Sequence, residues 1–115
     1  MSPERGEVYW LELGASYGCE QSGRRPVLIV SDDAINRLPL VVVVVPGTDA
    51  RNVARDYPVN VRVRSAECTG LPRDTVFMCF QMRAIDPRHL GARLARLPAA
   101  RMVEVDEALR RALGI

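Results

Sequence analysis

Lysine is absent from this chain of 115 residues, and histidine occurs once, at His89. All sixteen basic side chains are arginine. A guanidinium is planar, stays charged and holds a phosphate through two parallel N–H bonds, so every cation here is of a phosphate-gripping kind. Biased genome composition produces the same pattern, and the absence of lysine alone does not choose between the two. Nothing around His89 marks it as a general base, which favours an exposed, uninvolved imidazole.

Cysteine is also scarce. Cys19, Cys68 and Cys79 form no CxxC or Cys/His cluster, and an odd number argues against a closed disulfide framework. They are expected to be unlinked thiols in a reducing compartment, with no zinc site. No glycine-rich phosphate loop, no HExxH and no nucleophile elbow occurs. The longest apolar run, Leu38 to Pro46, is far below the roughly 20 residues of a membrane helix, and MSPERGE has no basic stretch leading into an apolar one. The expectation is a soluble, cytoplasmic protein with no membrane partner.

What is present suits one compact domain over residues 1–115. Apolar residues make up 48% and charged residues 26%, both ordinary for a globular chain, so neither disorder nor a low-complexity fibre is supported. Net charge is only +2, but its distribution is uneven. Residues 1–50 carry four Arg against seven Asp and Glu, residues 51–96 nine against four, and the remainder three of each. The middle of the chain is the basic part.

Along the chain, GEVYWLEL (Gly6 to Leu13) reads as a strand rich in β-branched and aromatic residues. ASYGCEQSG has neither a two-residue nor a helical period and reads as an exposed loop. Pro26 is expected to open the next strand, Val27 to Val30, since proline is tolerated at a first position. SDDAIN offers an N-cap and one helical turn. Leu40 to Pro46 holds five successive valines, apolar on both faces, which predicts a central strand covered on both sides or curled into a barrel.

PGTD then breaks regularity and leaves Thr48 on a loop. In VNVRVR, Val59, Val61 and Val63 share the core face while Arg62 and Arg64 share the opposite one. TVFMCFQM, Thr75 to Met82, reads as one buried strand, and Arg83 leaves it for a polar link. DPRHLGARLARL is expected to make a helical turn or two. Beyond it Pro98 suits a helix's first turn, and Met102, Val105, Leu109, Ala112 and Leu113 form an amphipathic stripe. The fold class is therefore α+β, a strongly curved, mostly antiparallel sheet with short helices and an amphipathic C-terminal helix.

In an antiparallel sheet the start of one strand lies beside the end of the next, so Arg25 and Thr48 are expected to meet at one edge. A guanidinium and a hydroxyl together suit a phosphate. The plainer alternatives are a surface Arg25 paired with Glu20 or Asp32, and a Thr48 capping its own turn. Composition and spacing leave both open.

A resemblance bears on that choice. RGEVYWLELG, GCEQSGRRPVLIVSDDAIN, VVVVVPGTD, GLPRDTVFMCFQMRAIDPRHLGARLARL and MVEVDEALRRALGI together resemble the MazF/PemK/Kid family of toxin–antitoxin ribonucleases across nearly the whole chain. The most diagnostic blocks are EQ-x-G-x-RPVL-[IV]-V and Q-[IM]-R-x-[IL]-D. The resemblance implies a small SH3-like, CcdB/PemK-like barrel and a homodimer that cleaves single-stranded RNA, mainly mRNA, without a metal or other cofactor. The substrate's own 2′-hydroxyl would attack, giving a 2′,3′-cyclic phosphate and a free 5′-hydroxyl. A cognate MazE-like antitoxin would neutralise it.

On this resemblance Arg25 and Thr48 are the catalytic pair. Glu20 and Gln21 line the groove and read bases, and Gln81 and Arg83 support the site edge or the dimer; Arg24, and Arg62 and Arg64 from the strand face they share, are expected to bind RNA as well. Arg24, thought to lie in the flexible loop, is expected to add backbone affinity only. Three departures stand out: Phe80 where several relatives carry an acid, Met78 where one branch carries arginine, and Gly47 in place of a bulkier residue, which predicts a looser loop at Thr48. The other classes are a CcdB-like gyrase poison, which needs tryptophan where this chain reads Leu113-Gly114-Ile115, and a non-catalytic RNA- or antitoxin-binding relative.

Overall fold

Short continuous apolar runs, Val8 to Leu11 and Pro26 to Ile29, build the first two strands, β1 (Glu7–Glu12) and β2 (Arg24–Ile29), in the computed structural model, which describes residues 2–14 and 23–115. They pair antiparallel, with Val8 opposite Leu28, Trp10 opposite Pro26 and Leu11 opposite Arg25. A short helix, α1 (Asp33–Asn36), follows, capped by the Asp32 carboxylate accepting from the Ala34 N–H at 2.9 Å. Then comes β3 (Val42–Asp49), the longest strand described.

From Val42 on the valine run behaves as its two-sided apolarity predicts, whereas Leu40 and Val41, expected in the strand, precede it and are exposed. Val42 and Val44 pack with Leu11, Leu13, Val27 and Ile29 on one face, while Val45 packs with Val8, Leu28 and Phe77 on the other. A strand buried on both faces belongs in the middle of a sheet, and β3 is there. The remaining elements are β4 (Asn60–Val63), β5 (Thr75–Met78), β6 (Arg83–Ile85), β7 (Arg93–Arg96) and α2 (Ala99–Leu113). Sheet order is β4-β5-β3-β2-β1-β7 with β6 also on β3, and each described pairing is antiparallel.

β3 holds this sheet together by changing partners. Its first half pairs with β2 and β6, and from Gly47 onward it pairs with β5. The sheet curls there. In α2, Val105 and Ala108 are buried against the larger core, with Met102 and Leu109 at its margin. Burying a side chain the size of Val105 contributes about 1.5–3 kcal/mol. Gly114, at φ +72°, closes the helix with the left-handed residue that such ends favour.

Several expectations are corrected. Pro26 is the third residue of β2 and does not open it. The Leu13 N–H donates to the Gly23 carbonyl at 2.9 Å, so by alternation Trp10 and Pro26 are a pair that exchanges no bonds, and the proline's missing donor faces the side β3 has left. Thr48 lies within β3, opposite Val76, and not on a loop.

The expected long strand from Thr75 ends at Met78, where a 3-10 turn, Cys79–Gln81, redirects the chain into β6. Arg83 therefore begins a strand opposite Val44. DPRHLGARLARL keeps one 3-10 turn, Pro87–His89, before becoming β7. Leu90, Leu94 and Leu97 have helical spacing, yet Leu90 joins one core face and the other two join the opposite one. Leu113, expected on the packed stripe, is exposed at the end of α2.

Candidate active site

The register of β2 on β3 places Arg25 beside Thr48. Val27 stands opposite Pro46, and two residues farther out along each strand are Arg25 and Thr48, on the same face. Arg25 Nη1 donates to Thr48 Oγ1 at 3.2 Å. Thr48 is buried, whereas Arg25 is half-buried at the mouth of a cleft. Accepting from Arg25 leaves the threonine its own hydroxyl proton, so the pair presents adjacent donors to an anion.

That cleft has a volume of about 240 Å³ and lies in the gap that opens where β3 departs from β2. Trp10, Arg24, Arg25 and Pro26 form one side, and Thr48, Asp49 and Arg73 the other. Asp49 is held in place at the rim. Its carboxylate accepts from the Arg51 side chain, from the Arg51 N–H at 2.9 Å and from Arg73 Nη1 at 3.0 Å. These bonds, those from Arg51 foremost, hold the Asp49 carboxyl far below the ordinary carboxylate range. It stays anionic and is a poor proton acceptor near neutral pH.

Arg24 departs from its expected place. It lies in β2, opposite Glu12, and its guanidinium carbon sits 4.3 Å from the centroid of the Trp10 ring. Successive side chains of a strand alternate, so Arg24 and Arg25 leave on opposite faces and yet both reach the cleft, because the cleft wraps the free edge of β2.

The other predicted residues are distributed more widely. Arg62 is exposed and pairs with Asp56 at 2.8 Å. Through Val76 it shares a cross-strand row with Thr48, two strand spacings or about 10 Å away. Arg64 follows β4 and precedes the 3-10 turn Ser65–Glu67. Neither arginine lines the cleft. Arg83 Nη1 reaches the Leu13 carbonyl at 3.4 Å and so ties β6 to the end of β1, while Gln81 Nε2 lies 3.9 Å from Met78 Sδ. Glu20, Gln21 and Cys19 lie outside the described residues. Phe80 is half exposed, and His89 sits on the exposed Pro87–His89 turn, away from the cleft.

The looser loop expected from Gly47 is not found. A Cβ there would stand 2.7 Å from Thr75 Cγ2 and 3.0 Å from the Phe77 ring, so the neighbouring strand already fills the space. Trp10, Asp49, Arg73 and Thr75 were not singled out from sequence. Asp49 and Thr75 pair directly across β3 and β5, a relation that no local pattern signals. Among the described residues, no group of three or more His, Cys, Asp or Glu is placed to hold a metal ion, and no helix is long and apolar enough to cross a membrane.

Residues 4–113 match the family described as PemK-like, MazF-like toxin of type II toxin–antitoxin system. The endoribonuclease MazF of Staphylococcus epidermidis is 36% identical over 111 residues, covering 96% of this chain and 91% of that one. Endoribonuclease EndoA of Bacillus subtilis (strain 168) is 35% identical over 115 residues, covering 100% and 97%. Among solved structures, MazF from Deinococcus radiodurans superposes with a TM-score of 0.81 at 30% identity, covering 100% of this chain and 99% of that one. An endoribonuclease in complex with its cognate antitoxin, from Mycobacterial species, also gives 0.81 at 30% identity, with 99% and 97% covered.

Proposed function

The chain belongs to the PemK-like, MazF-like toxins of type II toxin–antitoxin systems and is an endoribonuclease, and we propose that it cuts single-stranded RNA at the Arg25–Thr48 cleft. One observation carries this reading: the guanidinium of Arg25 and the hydroxyl of Thr48, 3.2 Å apart, converge in a cleft with room for a phosphate. Attack of the adjacent ribose 2′-hydroxyl on phosphorus forms one P–O bond and breaks that to the 5′-oxygen, with the 2′-hydroxyl proton passing to solvent water and the 5′-oxygen taking one from it. The ends are a 2′,3′-cyclic phosphate and a 5′-hydroxyl. Negative charge grows on the non-bridging oxygens on the way, and a fixed guanidinium in a partly desolvated site stabilises it there.

Thr48 donates to the phosphate or orients the 2′-hydroxyl. Asp49, already held by Arg51 and Arg73, is unsuited to take the proton, and Phe80 carries no acid at all. The cleft's contribution is accordingly electrostatic. Arg62, about 10 Å along the row from Thr48, meets the next stretch of RNA backbone, and Arg83 with Gln81 steadies the sheet. The working state is a cytoplasmic homodimer, and the neutralising partner is a cognate MazE-like antitoxin, in keeping with the mycobacterial complex. No metal is required.

Purified protein incubated with long single-stranded RNA in EDTA, followed by mapping of the cut ends, tests this. Cyclic phosphates and 5′-hydroxyls that vanish in Arg25→Ala and Thr48→Val are expected. RNA left intact by the native protein, or cut only when a divalent ion is restored, overturns the reading.

A further inference from the structure

We propose that Trp10 and Arg24 form a stacking shelf for one unpaired base beside the cleaved phosphate. The inference rests on the RNA-cleaving reading above and assigns Arg24 a role other than contact with the backbone. Trp10 is a diagonal cross-strand neighbour of Arg24 on the β1–β2 pair, and the guanidinium lies over the indole at 4.3 Å. Both line the cleft that holds Arg25 and Thr48.

A guanidinium held 4.3 Å over an indole is restrained by it, and Arg24 is exposed, which leaves the side chain open to a ligand. Unpaired bases stack on guanidinium planes as they do on aromatic rings. Proximity supports the same conclusion. The Cα atoms of Arg24 and Arg25 are about 3.8 Å apart, so a nucleotide whose phosphate rests on Arg25 has its base within reach of the shelf. Because Arg24 and Arg25 leave β2 on opposite faces, the strand edge separates phosphate from base. The ligand is thus the base of a nucleotide flanking the scissile phosphate, held by its plane.

Trp10 is the single tryptophan of the chain, so its emission reports on the shelf directly. The probe is a short oligoribonucleotide spanning a mapped cleavage position, with a 2′-O-methyl group at the attacking ribose so that it binds uncut. It is compared with versions carrying an abasic sugar at each position in turn. The intact probe is expected to quench Trp10, and one abasic position next to the cut is expected to abolish the quench and weaken binding about tenfold.

Arg24→Lys keeps the charge but lacks the plane. It should lose this base dependence while retaining the salt dependence of binding. Quenching that is absent, or indifferent to every abasic substitution, overturns the shelf even when cleavage is normal. Arg24→Lys discriminating as well as the native protein also overturns it. Absence of any mappable cleavage in long RNA overturns the ribonuclease reading along with the shelf, whereas mapped cleavage without binding of the intact probe overturns the shelf alone.

Discussion

Arg24 and Arg25 are neighbours in the chain but stand on opposite faces of β2, one laid over Trp10 and the other bonded to Thr48. Their separation follows from strand geometry, and its effect depends on the edge where they sit. Deep within the sheet one face would be closed off by the core. At the free end of β2, beyond the last pairing with β3, both faces open to the same cleft.

Removing the charge of Arg25 should be the most damaging change to the chemistry. Arg25→Ala is expected to lower kcat by at least about 100-fold, the scale of losing one partner to transition-state charge. Steady-state cleavage of a defined RNA measures it, and an unchanged kcat would dismiss the assignment.

Thr48 separates shape from chemistry. Thr48→Ser keeps a hydroxyl in the buried position and should retain cleavage within about tenfold, whereas Thr48→Val should lose about 100-fold. Valine also removes the acceptor of Arg25, a change worth about 0.5–1.5 kcal/mol in a denaturant melt. Equal rates for the two variants would show that the hydroxyl does nothing.

Gly47→Ala should destabilise the fold by about 1–3 kcal/mol, since its new methyl would collide with Thr75 Cγ2 at 2.7 Å. Thr75→Ser removes that methyl while keeping the hydroxyl that donates to the Arg73 carbonyl at 2.8 Å. The double variant is expected to regain most of the loss in a urea titration. No regain would show that Thr75 Cγ2 does not set the cost, leaving the Phe77 ring at 3.0 Å as the obstructing neighbour.

Asp49 neutralises two arginines at the cleft rim, Arg51 and Arg73. Asp49→Asn keeps an oxygen for the Arg51 N–H but releases both guanidinium charges toward RNA. Binding should tighten, and the slope of log K against log salt should steepen by about 0.7 to 1.4, one or two further phosphates on a single strand. An unaltered slope would place both arginines outside the RNA path.

Acid stability should depend on Glu7. Burial pushes its carboxyl up, but hydrogen bonds from Arg93, the Glu4 N–H and Tyr9 outweigh burial and hold it below its ordinary value of 4.5. A group depressed in the folded state stabilises fully above its unfolded value and loses that contribution as pH falls through the folded one. The melting temperature should therefore decline below pH 4.5, and Glu7→Gln should flatten that decline while lowering stability near neutrality. Parallel pH profiles for the two proteins would exclude Glu7 as the source.

Much of the fold was legible because side-chain period encodes which residues share a face. The alternation in Val61 and Val63, the two-sided valines of β3 and the stripe of Val105 and Leu109 each identify an element from neighbours a few positions away. The Arg25–Thr48 pair was legible from strand ends and from the family resemblance in EQSGRRPVLIV. Period is silent on which strand lies beside which. Arg93 to Arg96 mimics a helix until it pairs with β1, where Arg93 meets the buried carboxylate of Glu7.

The sequence by itself therefore determined that a valine-rich antiparallel domain would carry Arg25 and Thr48 at adjacent strand ends. Only the tertiary structure decided that β3 leaves β2 at Gly47 for β5, opening the cleft and bringing Trp10, Arg24, Asp49 and Arg73 to its walls. The physical reason is range. A strand's faces are set by alternation between adjacent residues, whereas its partners are chosen by burial of surfaces that lie far apart in the chain.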